Sequence, residues 1–151
     1  MVEWRKVALT MMPQCKKLIA RARAPVPLWV DLQLAFADAY RHRTPKNPQL
    51  IRSIHGYAWW CIAESNNPDL ASAATTCFYE HLPVTPGAWE ELHLYLDRRQ
   101  FEGLRDVFKY FFEPHEQQPK FDQFLVALRK REKELKRITP AKRHQKLERE
   151  T

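Results

Sequence analysis

Hydrophobic residues recur every three to four positions along most of the chain, a spacing that places them on one face of an α-helix. The pattern is clearest in two consecutive segments, each of which begins with Asn-Pro (Asn47-Pro48 and Asn67-Pro68). Asparagine is a preferred helix N-cap, and proline is favoured at the first helical position. We therefore predict helices at 48–64 and 68–82, joined by a short turn.

Thr85-Pro86 opens a third copy of this signal, and apolar residues follow it in the same phase up to Leu96. Helices joined by only a few residues must lie antiparallel or cross sharply. The pattern thus predicts stacked helical hairpins, in a solenoid-like array or an irregular bundle. The segment 48–64 is apolar on nearly all sides, which predicts a position at the centre of the domain.

The same spacing extends over most of the remaining chain. We predict further helices at 2–12, 13–22, 27–43, 98–112 and 119–137. The segment 113–119 is predicted as a loop, and 139–151 has no apolar face and is predicted as a basic, disordered tail. The sequence therefore predicts an all-α single domain of about seven short helices over residues 1–138.

The composition favours the same fold class. The chain has 151 residues with three glycines and eleven prolines, a balance that argues against β-hairpins and barrels. It contains no apolar run of about 20 residues, the length that a membrane span requires, and its N-terminal apolar run is too short for a signal peptide. Three cysteines without a C-x-x-C pair are expected to stay reduced. These features predict a cytoplasmic protein with no membrane partner.

The net charge of +7 is concentrated at the two ends of the chain. Residues 1–24 carry six basic residues and one acidic residue, and residues 129–151 carry ten and four. Such ends bind phosphates in nucleic-acid-binding proteins, or simply form a solvated tail. Glu132–Lys136 and Lys130–Glu134 are spaced for ion pairs within a helix, which weakens the nucleic-acid hypothesis. The candidate nucleic-acid contacts are Arg129, Lys130, Lys133, Lys136 and Arg137.

Few residues suggest catalysis. Glu90 and His93 have the spacing that places a carboxylate and an imidazole on one helix face, as in di-iron bundles, although such sites use two of these pairs. Cys61 and Cys77 lie on predicted buried faces, where cysteine behaves as a small hydrophobic residue. No phosphate-binding loop, nucleophile elbow or zinc motif is present. We therefore predict no enzyme and no cofactor, with a metal-dependent helical-bundle enzyme as an alternative.

The tryptophans are the best candidates for a binding surface. Trp59 and Trp60 are adjacent, so their side chains point about 100° apart on a helix and cannot both face one neighbour. Exposed tryptophan is a common anchor of protein interfaces. Together with Trp89, these residues predict a non-enzymatic protein-interaction module whose partner is another protein.

The segments YAWWC (57–61), FYEHL (78–82) and 89–112 resemble small all-helical bacterial domains of unknown function, among them immunity proteins of polymorphic-toxin systems. The resemblance covers about residues 47–112. It implies a bacterial cytoplasmic protein that acts by binding another protein. The resemblance assigns no catalytic residues to this chain. Immunity proteins that mask a cationic toxin site are often acidic, and the basic ends of this chain depart from that pattern.

Overall fold

The structure is a computed structural model that describes residues 2–41, 47–138 and 140–150. The described residues contain α-helices and short 3-10 turns but no strand, so the predicted all-α class is confirmed. The helices form one compact domain, and nine of them lie in the described ranges, against about seven predicted. They are α1 (Glu3–Met11), α2 (Lys16–Arg21), α3 (Pro25–Tyr40), α4 (Pro48–Ala63), α5 (Pro68–Cys77), α6 (Ala88–Glu91), α7 (Arg98–Phe108), α8 (Pro114–Arg137) and α9 (Pro140–Glu150).

The predicted caps Asn47 and Asn67 begin their helices, and Asp97 caps a third. The Asn47 side chain accepts a hydrogen bond from the Leu50 amide at 3.0 Å. Asn67 accepts from the Asp69 and Leu70 amides, each at 3.1 Å. Asp97 begins α7 by accepting from the amide of Gln100, whose side chain in turn accepts from the Asp97 amide. These bonds satisfy amide groups of the first turn that have no partner within the helix.

The third copy of the Pro-initiated pattern does not form a long helix, and this prediction is wrong. Gly87 has a φ of 86°, so the chain turns there, and α6 is only four residues long. A 3-10 turn at Leu92–Leu94 follows. A Cβ atom at Gly87 would lie 3.0 Å from the Tyr40 ring, which explains why glycine occupies this turn.

The predicted loop at 113–119 is also wrong. Helix α8 begins at Pro114, where a proline is favoured, and Glu113 and Glu116 form a reciprocal capping box before the interior Pro119. The sequence pattern placed the helix start at the second proline, whereas local capping chemistry places it at the first.

The C-terminal segment differs from its prediction as well. Residues 140–150 form a helix, although they were predicted as a disordered tail. Ion pairs hold α9 against α8, between Arg131 and Glu150 and between Lys146 and Glu134. The predicted end of the third helix beyond Arg41, and Thr139 and Thr151 of the tail, lie outside the described residues.

Helix packing places α3, α4 and α5 in mutual contact, and α1 also packs on α4. Helix α7 packs on the 3-10 turn Tyr79–Val84, and α8 packs on α6 and on the turn Leu92–Leu94. Helix α4 thus contacts three helices, but Gln49 and Arg52 on it are exposed. The apolar sequence of α4 predicted a helix enclosed on all sides, but one face of it is exposed.

Aromatic side chains fill the core in two clusters. In the first, Trp29 stacks on Tyr57 with ring centroids 5.5 Å apart and contacts Phe78. In the second, Phe101 stacks on Phe124 at 4.0 Å. Five phenylalanines surround Trp89 in this cluster: Phe101, Phe108, Phe112, Phe121 and Phe124.

Trp89 is therefore a core residue, which corrects its prediction as an interface anchor. Only 3% of it is exposed, and its indole N–H donates a hydrogen bond to the Lys120 carbonyl at 3.3 Å. Helical periodicity placed Trp89 on an apolar face, but the sequence did not reveal that α8 covers this face.

We expect Trp89→Ala to lower the free energy of unfolding by about 3 to 5 kcal/mol, because it leaves a cavity inside the phenylalanine cluster. The matched control is Val126→Ala on α8, where the side chain is exposed and the expected change is below about 0.5 kcal/mol. Urea denaturation followed by circular dichroism measures both. Equal losses for the two variants would contradict this description of the core.

Candidate functional site

An apolar stripe runs along the outer face of α3. Val26, Val30 and Leu34 follow one another at intervals of four residues and are 54%, 45% and 61% exposed. The opposite face of α3 is buried through Leu28, Leu32 and other core residues. We call the three exposed residues the α3 stripe.

The α3 stripe was missed in the sequence because α3 is apolar on two sides. Periodicity selects the face that carries the largest side chains, here Trp29, Leu32 and Phe36, and says nothing of a second apolar face. The available signal was the absence of charged residues between Arg23 and Asp31. A helix without a polar face is normally enclosed by other helices or by a partner.

The α3 stripe continues into a groove of about 620 Å³ between the end of α3 and the turn at Pro86-Gly87. Leu34 belongs to both the stripe and the groove. The apolar lining comes from Ala37, Pro86 and the Tyr40 ring. The groove therefore extends the apolar surface beyond a single helix ridge.

Charged residues border this surface on one side. Asp31 pairs with Arg21 at 3.3 Å, and Asp38 pairs with Arg41 at 3.2 Å. Both arginine side chains and Asp38 are largely exposed, so these ion pairs contribute little to stability and can exchange partners.

A second concave site lies where α4, α7, α8 and α9 meet. It is a cavity of about 320 Å³, which we call the Arg131 cavity. Aromatic and charged side chains line it together, a combination typical of small-molecule sites. The lining includes Arg52, His55, Trp59, Tyr95, Gln100, Arg131 and Leu147.

His55 forms the most deeply buried wall of the Arg131 cavity. It is 4% exposed, and neither ring nitrogen has a hydrogen-bond partner among the described residues. Its ring stacks on Tyr95 with centroids 4.4 Å apart and meets Phe36 and Phe78 edge-on. Burial lowers the pKa of His55 to about 3, so the ring is neutral at pH 7.

Arg131 supplies a half-buried positive charge to the same site. Its side chain is 17% exposed, its Nε donates to the Glu150 carboxylate at 3.2 Å, and its guanidinium also donates to the His93 carbonyl at 3.3 Å. Arg131 also lines a neighbouring cavity of about 350 Å³. The guanidinium therefore lies between two concave surfaces.

Tyr95 shows how the charges are arranged around the cavity. Burial, and then the Glu91 carboxylate, raise the pKa of Tyr95 to about 12, while Arg52 and Arg131 act in the opposite direction. Both guanidinium groups thus act on the aromatic wall of the cavity, but burial and Glu91 outweigh them, so the Tyr95 hydroxyl stays protonated.

Of the residues that line this cavity, only Trp59 was predicted from the sequence, and Arg131 and His55 are the most informative of those missed. Trp59 is half-buried and lines it, as expected of a binding tryptophan. Arg131 was missed, although it lies three residues after Leu128 and four before Leu135, on the inner face of α8. His55 was missed in the same way between Ile51 and Ala58, since its polarity was given more weight than its register.

Trp60 has a structural role in the described chain. It is half-buried and stacks on Tyr57 with centroids 5.7 Å apart and an interplanar angle of 13°. Trp59 and Trp60 therefore diverge as predicted, and of the two, Trp59 lines the Arg131 cavity.

The predicted basic residues all lie exposed on one face of α8. Their positions span an arc of about 120° around the helix at 3.6 residues per turn. Two predicted ion pairs within α8 are replaced by others, because Glu132 pairs with Arg98 and Glu134 pairs with Lys146. The basic face consists of Arg129, Lys130, Lys133, Lys136 and Arg137.

The other candidates for chemistry are placed differently. His93 is half-buried and hydrogen-bonds with the Glu90 backbone, while the Glu90 side chain is exposed. No group of three His, Cys, Asp or Glu side chains in the described ranges could hold a metal ion. All three cysteines are free, and burial raises the pKa of Cys61 to about 12, which keeps this thiol protonated.

Comparisons of the chain with protein families, with curated proteins and with solved structures found no match. Among the helices of the described residues, none combines the length and the apolar character needed to cross a membrane. The function must therefore be argued from the two surfaces and the cavity.

We expect His55 to make stability depend on pH. Its folded pKa lies below the ordinary value of 6.5, so the unfolded state binds the proton first as the pH falls. The contribution of the neutral His55 to the free energy of unfolding is fully present above pH 6.5. It declines towards pH 3 by about 1.4 kcal/mol per pH unit.

The test is the urea-unfolding free energy at pH 7, 6, 5 and 4 for the wild type and for His55→Phe. The variant should lack this part of the decline, whereas the exposed control His115→Gln should retain it. Parallel pH curves for the wild type and His55→Phe would refute the buried, neutral state of His55.

Proposed function

We propose that this protein is a non-enzymatic protein-interaction module that binds an amphipathic helix of another protein through the α3 stripe and the adjoining groove. The observation that supports the proposal is the exposure of Val26, Val30 and Leu34 in one line. Contiguous apolar surface on a folded domain marks an interaction site more often than scattered single residues do.

The spacing of the α3 stripe favours a helical partner. Side chains four residues apart form a ridge, and such ridges pack into the grooves of a second helix. The stripe spans about 12 Å along α3, or somewhat more than two turns. The groove beside Pro86 provides room for anchoring side chains of the partner.

The charges along the edge select among helical partners. Asp38 is exposed beside the groove, and its ion pair with Arg41 is also exposed. A partner helix with a basic residue at its edge gains this carboxylate as a neighbour, and a like-charged helix is disfavoured. The partner in this proposal is thus an amphipathic helix with a basic flank.

The resemblance to immunity proteins extends the same proposal. If the protein is an immunity protein, the partner that binds the α3 stripe is a toxin, and the two proteins bind each other in the bacterial cytoplasm. The apolar stripe supports such a role without requiring an acidic surface, because the binding energy comes mainly from burial of apolar area.

We expect Leu34→Asp to weaken partner binding at least tenfold, because it buries a charge in the centre of the apolar contact. The photocrosslinker benzoylphenylalanine, placed at position 34, identifies the partner in cells that produce the protein. The purified partner is then titrated with the wild type and with Leu34→Asp. The matched control is Val126→Asp, an equally exposed valine on α8. Neither variant should change the unfolding free energy by more than about 0.5 kcal/mol.

Two outcomes would contradict this proposal. Equal affinities for Leu34→Asp and the wild type would show that the partner binds elsewhere. Sedimentation that reveals a dimer, dissociated by Leu34→Asp, would show that a second copy of the chain occupies the stripe.

A second candidate function, nucleic-acid binding, is favoured by the one-sided basic face of α8. Five exposed basic side chains on one arc match the arrangement that follows a phosphate backbone. The acidic residues of α8 are drawn to Arg98 and Lys146 rather than to this face.

If the basic face binds phosphates, Arg129→Gln/Arg137→Gln should weaken binding to a labelled single strand and duplex of about 20 nucleotides. The slope of log affinity against log salt should fall by about 2. The control is the double variant Arg41→Gln/Arg99→Gln, which makes the same charge change on exposed residues elsewhere. It should alter the affinity and the salt slope less. Binding without salt dependence, or equal effects of the two double variants, would exclude this candidate.

A further inference from the structure

A further exposed surface lies where the 3-10 turn Tyr79–Val84 packs on a second 3-10 turn, Lys109–Phe111. The rings of Tyr110 and Phe111 meet edge to face with centroids 5.0 Å apart, and the two residues are 71% and 41% exposed. The Phe111 ring also contacts the His81 ring at a centroid distance of 5.4 Å. Aromatic side chains exposed to this degree are typical of interaction surfaces rather than of cores.

Val84 connects these rings to the groove beside α3. Side chains three residues apart in a 3-10 turn lie on the same face, so Val84 shares a face with His81. Thr85 is extended, with a φ of −87° and a ψ of 113°, and it is buried. Because side chains alternate along extended backbone, Val84 and Pro86 both point outward. Pro86 lines the groove, so exposed surface continues from the groove to the rings. We define the aromatic patch as His81, Val84, Tyr110 and Phe111.

The surroundings of the aromatic patch are acidic, although the chain as a whole has a net charge of +7. Within four sequence positions of its three ring residues there are three carboxylates, Glu80, Asp106 and Glu113, and one lysine, Lys109. Asp106 is 94% exposed in its side chain and pairs with Lys109 at 3.2 Å. It precedes Tyr110 by four residues in a continuous helical segment, so both lie on one face. A cation beside the Tyr110 ring therefore has a carboxylate as a neighbour.

The position of the two rings at a helix end favours a cation as well. Helix α7 continues directly into the turn Lys109–Phe111, so Tyr110 and Phe111 lie at the C-terminal end of a helical segment. The helix dipole places partial negative charge at this end. The faces of aromatic rings also attract cations, and arginine is favoured because its planar guanidinium stacks on them. Rings, carboxylates and helix end thus select the same group, an arginine side chain.

We propose that the aromatic patch binds arginine side chains in an extended segment of the same partner whose helix binds the α3 stripe. For the identity of the partner, this inference rests on the proposed function, whereas the arginine site is tested by itself. The continuous surface through Pro86 and Val84 allows one partner chain to cover both places. The partner therefore contains an amphipathic helix and, next to it in the sequence, arginine residues.

The probe is an acetylated eight-residue peptide of alternating glycine and arginine. Its matched control replaces each arginine by citrulline, which is uncharged and similar in shape. Each peptide is titrated into the full chain, and NMR follows the ring signals of Tyr110 and Phe111, assigned with Tyr110→Leu and Phe111→Leu. We expect saturable shifts with a Kd below about 1 mM for the arginine peptide and at least fivefold weaker binding of the citrulline peptide.

Two variants test the ring and the carboxylate separately. Tyr110→Leu keeps an apolar side chain but removes the ring, and it should weaken binding of the arginine peptide about threefold. Asp106→Asn should weaken it about twofold, whereas Asp69→Asn, at an exposed aspartate on α5, should leave it unchanged. All three replaced side chains are exposed, so the variants should keep the urea midpoint of the wild type.

Crosslinking in cells tests whether one partner covers both surfaces. Benzoylphenylalanine at position 110 should crosslink the same protein as benzoylphenylalanine at position 34. Mass spectrometry should map the crosslink from position 110 to a segment that contains arginine, and the crosslink from position 34 to an amphipathic segment beside it.

The outcomes separate this inference from the proposed function. Equal affinities for the two peptides, no saturation, or unchanged affinity in Tyr110→Leu would overturn the arginine site. Ring shifts that depend on protein concentration alone would assign the patch to a second copy of the chain and overturn it as well. Crosslinks to different proteins, or at position 34 alone, would overturn the shared partner and leave the proposed function intact. A crosslink at position 110 alone would overturn the proposed function, while saturable peptide binding would still support the arginine site.

Discussion

The fold depends on a continuous line of aromatic rings that join the two halves of the domain. Trp29 contacts Phe78, Phe78 contacts Tyr79, and Tyr79 reaches Phe108 with ring centroids 6.4 Å apart. Phe108 then leads to Trp89 and its phenylalanine neighbours. Each such pair adds about 0.5 to 1.5 kcal/mol beyond the area that it buries, so this line couples the packing of α3 to that of α8.

Filling this core explains the irregular middle of the chain. Burial of Trp89 among five phenylalanines requires the chain to turn at Gly87 and again at Leu92–Leu94. An uninterrupted helix over 86–96 would have kept Trp89 on the apolar face that the helices beginning at Pro48 and Pro68 share. The weak repeat in the sequence therefore ends where the second aromatic cluster begins, and local helix propensity yields to packing.

The two candidate sites arise from what the core leaves unsatisfied. Helix α3 buries its larger side chains and leaves Val26, Val30 and Leu34 in contact with water. At a separate junction, α4 brings a neutral histidine and Arg52 to a cavity that α8 borders with Arg131 and α9 with Leu147. The first site is an exposed apolar helix face and the second a concave surface lined by aromatic rings and two arginines, and the apolar face suits a protein partner.

Arg131 and His55 show how much of a site register alone decides. Both lie at positions whose neighbours along the helix are apolar core residues, so helical geometry turns them inward. Their roles then depend on the facing elements: Glu150 and the His93 carbonyl for Arg131, and the Tyr95 ring for His55. These partners are 19 or more residues away in the sequence, beyond the reach of any local pattern.

The sequence by itself determined the helical class and the starting points of α4, α5 and α7. The reason is that a cap acts on amides two or three residues away, so Asn47, Asn67 and Asp97 need no distant partner. Only the tertiary structure decided which tryptophan is buried, which face of α3 meets water, and that α9 lies against α8. Those outcomes follow from contacts between segments remote in the sequence, such as the hydrogen bond from the Trp89 indole to the Lys120 carbonyl. Hydrophobic periodicity predicts which face of a helix is buried, but it does not indicate which helix covers that face.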